Sequence, residues 1–468
     1  MEGIFDSIKV MTPDEVELIH KESVRILENT GIAVPNDECL ALCRKLGAVV
    51  DRQTNIMKIP SGLMENIIDM VRKTSDTGAA GEGTKPRVYG NISTQVFYIN
   101  YKSGTRRYGV LEDIHNGIAV TDNLKNIRES NAIVVPHDVP YNISDIESHK
   151  LIYCYSKRPG GTYILSEKSA GYIIEMAKVI NKNLVYGLRT ISPLQFRKES
   201  LDIGLIFAKQ GYDLSLGPMI IGGATGPVTI AGVITMQNVE VLASLFMIYA
   251  MTGRCCHHYG GACHSMDLKT MLCSFGLPNQ ALLGMGIAQM ARFYGMKPMS
   301  NSGLTDSLMP DYQAGIEKAM NAVFSCMAGC VQIGAQGLVG ADQGISLEQL
   351  VIDNEWLDAY NYILQGFEVN RETIGADLVE AVGIGGNFVA EEHTVEHMRR
   401  NYWSSKLFDR ITWDAFLEGG RKTLLDKAHS YIESIVESRC LREPVIDASK
   451  LNEINYIVKR ARKELAGM

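Results

Sequence analysis

The chain has no uninterrupted run of the ~18 apolar residues that a membrane span needs, and its first stretch, MEGIFDSIKVMTPDEVELIH, is charged where a secretion signal would need an apolar core. A cytoplasmic protein with no membrane partner is therefore expected. Clustered positive charge is also missing. The 46 basic residues are dispersed among 53 acidic ones, for a net charge of −7, so no surface for nucleic-acid phosphates is expected. Cysteine is thinly spread, with 10 over 468 residues, which fits free thiols in a reducing compartment rather than a disulfide framework. The glycine-rich turns GGATG at Gly222 and GIGGNF at Gly383 complete neither G-x-G-x-x-G nor the phosphate-loop pattern, which argues against a nucleotide.

What is present is an apolar content of 46%, enough for a large core, in a chain long enough for one oversized barrel or for two or three ordinary domains. Thr12-Pro13-Asp14-Glu15 starts a helix with the apolar face Val16, Ile19, Val24 and Leu27, stopped at Gly31. Lys73 to Lys85 reads as loop, and Gly90 to Val110 as a hairpin turning at Lys102-Ser103-Gly104. From about Arg128, short β-rich runs each precede a helical stretch. They are Ala132 to Val135, Thr162 to Leu165, Leu184 to Ile191, Leu214 to Ile221, Cys255 to Tyr259, Pro298 to Ser302 and Val331 to Ile333, with a further strand expected near Ala381 to Ile384. The alternation predicts an α/β fold, a (β/α)8 TIM barrel, with a doubly wound open sheet as the alternative. The expected division is an N-terminal helical extension over 1–85, the barrel with its opening hairpin over 86–394, and a C-terminal helical segment packed on it over 395–468. Loops after the strands of such a barrel meet at one mouth, which directs attention to His137, Asp138, Ser166, Glu167, Ser192, His258, Tyr259, Asn301, Ser302, Gln332, Gln336 and His393.

Several clusters have competing readings. CCHHYGGACH, Cys255 to His264, is rich in metal-ligating residues, but neighbours on a strand point to opposite faces and no paired frame is present. Packing is the expected role, and a metal-dependent lyase or hydrolase built on this cluster is the alternative function. Asp306, Asp311 and Glu317 form no evident acid/base pair, and Asp311 reads as a helix cap. Tyrosine is abundant, 20 against 12 Phe, and Phe97, Tyr98 and Tyr101 share one hairpin; Arg106 and Arg107 beside them could pair a carboxylate.

Three segments together carry a resemblance: GGNFVAEEHTVEHMRRNYWSSKLFDRITW (Gly385 to Trp413), GGATGPVTIAG (Gly222 to Gly232) and TDSLMPDYQAGIEKA (Thr305 to Ala319). They resemble the trimethylamine methyltransferase superfamily from about Thr12 to Trp413, and within the first of them Glu396 to Phe408 has helical spacing behind a His393-Thr394 cap. The resemblance implies a barrel that moves a methyl group from a methylated amine to the cobalt of a corrinoid protein. The string DIHNG, Asp113 to Gly117, departs by one residue from the D-x-H-x-x-G frame of corrinoid-binding modules and reads as a helix start. No permanently bound cofactor is then expected, and the corrinoid (cobalamin) arrives on a cognate partner protein. Only the twenty usual residues occur, whereas the trimethylamine branch uses pyrrolysine. That points to the pyrrolysine-free branch and a betaine-type quaternary amine (glycine betaine, proline betaine, carnitine or γ-butyrobetaine), in a homo-oligomeric enzyme of one-carbon metabolism. A quaternary ammonium is held by ring faces. Phe97, Tyr98, Tyr101, Tyr163, His258, Tyr259 and Gln336 are the candidate substrate-binding residues, and Gly222, Gly223, Gly385, Gly386 and His393 the candidate corrinoid-facing ones. No resident metal is expected.

Overall fold

The computed structural model describes residues 7–75, 87–437 and 443–467. The N-terminal layer forms as its local chemistry dictates. Thr12 and Glu15 cap each other reciprocally at the start of α1 (Pro13–Asn29), whose Val16, Ile19, Val24 and Leu27 are buried. Gly31 then leaves the helix at φ 79°, a conformation that only glycine adopts cheaply. Strands β1 (Ile32–Ala33), β2 (Val49–Asp51) and β3 (Ile56–Lys58) and helices α2 (Asp37–Lys45) and α3 (Ser61–Thr74) complete this layer.

After β4 (Tyr89–Gly90) comes the hairpin β5 (Phe97–Asn100) and β6 (Thr105–Tyr108), turning where the sequence predicts, and then α4 (Leu111–Asp122), α5 (Ser144–Tyr155) and α6 (Glu167–Val179). Strand–helix units follow: β7 (Val185–Leu188), β8 (Thr190–Ile191), β9 (Gln195–Phe196), α7 (Lys198–Lys209); β10 (Asp213–Leu216), β11 (Met219–Gly222), α8 (Ile230–Thr252); β12 (His258–Tyr259), β13 (Ala262–Asp267), β14 (Leu272–Ser274), α9 (Asn279–Phe293). Next are β15 (Lys297–Ser300), α10 (Tyr312–Met327), β16 (Gln332–Ile333), β17 (Leu338–Val339), β18 (Gly344–Ile345) and α11 (Leu347–Leu364). Short helices α12 (Arg371–Ile374), α13 (Ala376–Val382), α14 (Glu392–His397) and α15 (Trp413–Glu418) lead to α16 (Leu424–Val436) and α17 (Ala448–Ala461).

The fold is mixed α/β, and its parallel pairings run most of the way round a ring. β7 pairs with β10, β11 with β13, β12 with β15, β15 with β16, and β16 with β4. Single parallel bridges carry the series from Gly90 to Ile127 and from Ser130 to Pro159. No strand pairing among the described residues joins the stretch after Pro159 to β7, so the ring is not closed by hydrogen bonds there. The expected strand at Ala381 to Ile384 is not one. Those residues end α13 at Gly383, φ 69°, with Ile384 fully exposed. The ring position assigned to them is filled by β4, which lies at the very start of the expected hairpin and is not expected as a strand of its own. The helix expected over Glu396 to Phe408 is also shorter and earlier, running Glu392–His397 behind Glu391 rather than behind His393 and Thr394.

α8 is long and apolar enough, by length and composition, to cross a membrane, but most of it lies inside the protein. Its buried Glu240 accepts hydrogen bonds from Thr190, Ser192 and the Leu194 amide, a geometry that ties the helix to the loop after β7. A second buried charge joins the last two helices of the ring. Lys318 of α10 and Asp353 of α11 are both fully buried and 3.0 Å apart. Lys318 also donates to the Gly303 carbonyl at 2.8 Å, while Asp353 accepts from the Gly337 amide at 2.7 Å, Gln349 at 2.7 Å and Trp356 at 3.0 Å. Removing one partner of such a pair strands the other, so Lys318→Met is expected to lower stability by about 3–5 kcal/mol, with Lys318→Met/Asp353→Asn recovering part of it. Guanidinium unfolding of the three proteins measures this. A Lys318→Met protein as stable as the parent would show that the pair contributes nothing.

Candidate functional site

Strand register sorts side chains between the inside of the ring and the helices around it, because partners across a parallel ladder face the same way. Leu188 lies against Gly204 of α7 and Tyr259 bonds Asn238 of α8, and Ile220 and Cys263 are the buried residues of the β11–β13 ladder. Their neighbours Gly187, Arg189, Met219, Ile221, Ala262 and His264 therefore face inward, and the β11–β13 ladder sets Met219 beside Ala262 and Ile221 beside His264.

Arg189 follows β7 and folds back over Gly187 and Gly217. A Cβ at Gly217 would stand 1.9 Å from its Nη1, and one at Gly187 3.3 Å from its Nη2. These two glycines make the space that the guanidinium occupies. Its one side-chain hydrogen bond among the described residues goes to the Gly217 carbonyl, at 3.2 Å, and no described carboxylate pairs with it. The surrounding protein pulls its pKa below the usual arginine value by desolvation.

At the C-terminal ends of β13 and β15, His264 is completely buried. Its Nδ1 lies 3.0 Å from Gln280 Oε1 and its Nε2 3.1 Å from Asn301 Nδ2. Gln280 Nε2 donates to the carbonyls of Cys263 and Asn301, which fixes the orientation of its amide. His264 therefore donates at Nδ1 and accepts at Nε2, a neutral tautomer, and burial pushes its pKa down to about 4. Its ring stacks on Phe275 with centroids 4.0 Å apart. With Nδ2 committed to His264, Asn301 turns Oδ1 toward Gly334, where a Cβ would stand 2.4 Å away. Beside these, Asp306 accepts from Ser274 Oγ and the Phe275 amide, and Asp342 accepts from Gln95 at 2.7 Å. Asp342 sits at φ 72°, and burial raises its carboxyl pKa. Burial, then Asp306 and Asp342, raise the Cys273 thiol to about 12, so both carboxylates stand near it.

The predicted substrate-binding residues do not gather around one space. Phe97 lies under the Arg106 guanidinium at 4.1 Å and Tyr98 under Arg107 at 4.7 Å, so their ring faces already hold cations. Arg107 is bidentate to Asp113 at 2.7 Å. Tyr101 bonds Asp426 and stacks on His429, Tyr163 bonds Ser144, and Tyr259 is buried against Asn238 of α8. Gln336 is buried, with Nε2 on the Gly334 carbonyl and Oε1 unpartnered among the described residues. His258 faces inward but at the start of its strand rather than the end, since the ladder resumes at Ala262 after Gly260-Gly261. The inward histidine at the mouth is instead His264. Cys263 faces outward and His264 inward, and no group of three described His, Cys, Asp or Glu residues is set to hold a metal. Gly222 ends β11 paired with Ser265, its α-carbon turned to α8, where a Cβ would stand 2.5 Å from Val233 Cγ2, and Gly223 follows at φ 93°. Gly385 and Gly386 lie in the exposed turn after α13, and His393 bonds the Glu372 carbonyl at 3.1 Å. Of the acids, Asp311 caps α10 as predicted, and Glu317 accepts from Thr305 and the Asp306 amide.

A guanidinium on the inward face, and a histidine held neutral beside amide and carboxylate oxygens, make a candidate small-molecule site suited to positioning rather than to proton transfer by His264. The sequence matches the trimethylamine methyltransferase (MTTB) family over residues 1–466, and the chain belongs to that family of methyltransferases. A trimethylamine methyltransferase MttB from Desulfitobacterium hafniense is 25% identical over 91% of this chain and 88% of that protein. A glycine betaine methyltransferase from Desulfitobacterium hafniense is 24% identical over 96% of this chain and 97% of that one. The crystal structure of the Methanosarcina barkeri monomethylamine methyltransferase (MtmB) superposes with a TM-score of 0.45 and 11% identity, covering 97% of this chain and 92% of that one.

Sequence reasoning missed Arg189, Asp342 and the Lys318–Asp353 pair. A signal for Arg189 was present, in glycines two residues before it and at 217, but only the β7–β10 pairing aligns them. The neutral His264 has a consequence in solution. The folded protein refuses a proton that an unfolded histidine accepts near pH 6.5, so the stabilisation is complete above that pH and is lost as pH falls toward 4. The slope is about 1.4 kcal/mol per pH unit. Between pH 6.5 and 5, His264→Asn is therefore expected to lose roughly 1–2 kcal/mol less stability than the parent in urea unfolding; parallel losses in the two proteins would refute the assignment.

Proposed function

We propose that the chain transfers a methyl group from a betaine-type quaternary amine, one bearing a carboxylate, to the cobalt(I) of a separate corrinoid protein, within a (β/α)8 barrel that the observed ring approximates. The observation that carries the substrate class is the inward guanidinium of Arg189, without a described carboxylate partner, in space made by Gly187 and Gly217. A guanidinium that faces inward with no described carboxylate beside it is free to take an anion, and a carboxylate matches its forked donors. Arg189 would bind the substrate carboxylate, and Asn301 Oδ1 and Asp342 would face the quaternary nitrogen across the ring.

That orientation turns the methyl groups to the mouth, where Gly222 and Gly223 would let a flat macrocycle approach and where the partner would dock. The exposed segment around Gly385, Gly386 and His393, with Ile384, Phe388 and Val389 uncovered, would extend the docking face. During transfer the C–N bond breaks with both electrons left on nitrogen, so a neutral tertiary amine departs and no proton is required. The residues of this chain have only to align the ammonium, displace its water and exclude other nucleophiles. A neutral His264 suits that task, since a charged imidazolium would repel the substrate cation.

Mixing the protein with a cobalt(I) corrinoid protein and a panel of amines, and following the cobalt absorbance, tests the reading. Betaines with a carboxylate should be demethylated. Arg189→Gln should lower kcat/KM for them by about 30- to 100-fold, equivalent to about 2–3 kcal/mol of charge-assisted binding, while choline, which has no carboxylate, changes by no more than a few-fold. Demethylation of choline or trimethylamine with every betaine inert would overturn the substrate class.

A further inference from the structure

The end of the ring opposite the mouth carries a different charge pattern. Arg87 and Tyr89 at the start of β4, Lys125 and Arg128, Arg158, and Val331 and Gln332 at the start of β16 surround a cavity of about 610 Å³. Four of these residues are cationic and none is acidic, in a chain whose acids outnumber its bases. The cavity falls within the range of about 300–1,000 Å³ occupied by small-molecule sites and is much larger than a single ion needs.

The four cations are held differently. Arg158 is fixed by the carbonyls of Thr121, Leu124 and Ile127, and Lys125 pairs with Asp358 at 2.7 Å. Arg87 lies over the Tyr89 ring at 5.3 Å and donates to Asn126 Oδ1 at 3.0 Å. Arg128 reaches Gln332 Oε1 at 3.2 Å and meets no carboxylate among the described residues. The inward face adds Lys297 and His258, partners in the β12–β15 ladder. His258 has its pKa lowered by burial first and by Lys297 and Arg128 next, so the positive field extends into the ring.

Three guanidiniums gathered without a described carboxylate partner, beside the paired Lys125, repel one another unless something anionic relieves them, and guanidinium forks match phosphate oxygens in pairs. We propose that this cavity, at the N-terminal ends of the strands, binds a small molecule bearing a phosphate or diphosphate group, at a site separate from the methyl-transfer mouth. Its lining comes from the starts of the last strand of the ring and of the first strand and the two segments after it. An occupant therefore bridges the seam where the ring returns on itself, next to the interval that strand pairing leaves open.

Calorimetric titration of the full chain with inorganic pyrophosphate and with inorganic phosphate, at constant ionic strength, tests the site, and thermal unfolding reports the bridging. Saturable one-site binding is expected, with a rise in Tm. Arg128→Gln and Arg87→Gln should each weaken binding at least tenfold and abolish the Tm rise, while Lys45→Gln, the same charge change on an exposed position of α2, leaves both unchanged. Circular dichroism of each variant separates lost binding from lost folding, and Arg87→Gln decides if Arg128→Gln does not fold. Absence of saturable heat with the parent, equal binding by folded Arg128→Gln and Arg87→Gln, or tighter binding of citrate than of pyrophosphate would overturn the proposal.

Discussion

The buried contact between Lys318 and Asp353 is the constraint on which the mouth of this protein depends. Its two charges come from consecutive helices, but each also reaches a loop: Lys318 the carbonyl of Gly303, after β15, and Asp353 the amide of Gly337, after β16. Burial pulls the lysine pKa down, and the opposing carboxylate is what keeps an ammonium tolerable there. Asn321 reinforces the same loop by bonding the backbone of Gly303 and Leu304. On the far side of the ring, Glu240 of α8 treats the loop after β7 in the same way. Backbone that has left the ladder is thus pinned by buried polar groups projected from helices. This explains how loops carrying Arg189, Asn301 and Asp342 hold a geometry that no regular secondary structure enforces.

A second consequence concerns electrostatics. The inward residues are not a neutral lining. Carboxylates and amide oxygens stand at the mouth near Cys273, a guanidinium lies on the β7–β10 side, and further cations crowd the opposite end. A zwitterion would be oriented in such a space, with its cationic end toward the carboxylates and its anionic end toward the guanidinium. The catalytic demand of methyl transfer is alignment, and a fixed field supplies alignment with little reorganisation.

Features resting on neighbours in sequence were legible without coordinates. The reciprocal cap at Thr12 and Glu15, the helix starting near Asp113, the Asp311 cap and the hairpin turn at residues 102–104 all follow from residues a few positions apart, and the structure contains each. Pairing between distant strands was not legible in the same way. The sequence at 381–384, AVGI, has the composition of a strand, yet Gly383 ends a helix there and nothing packs on Ile384. β4 is only two residues long and offers no periodicity to detect. The surroundings of the aromatic residues were not legible for a related reason: sequence reveals a ring but not what lies against its face, and here Arg106, Arg107 and His429 lie against Phe97, Tyr98 and Tyr101 while Tyr259 stacks on Tyr294. Asn301 was reachable, because its place after a strand could be counted. Arg189 was not, because its space is made by a glycine on the next strand.

The separate surroundings of the predicted rings among the described residues bear on how a quaternary ammonium would be recognised here. Such a cation has no N–H to donate, so rings compete with carbonyl and carboxylate oxygens only through electrostatics and fit. When the same molecule carries a carboxylate, a guanidinium can supply much of the affinity, and the ammonium end then needs only a weak, oriented contact. That division has a kinetic advantage. Strong contacts to the nitrogen would stabilise the charged ground state and be lost as the amine becomes neutral, raising the barrier to methyl transfer, whereas contacts to the carboxylate persist unchanged from substrate to product. A site that anchors through Arg189 and leaves the nitrogen to Asn301 and Asp342 places its binding energy where the chemistry does not oppose it.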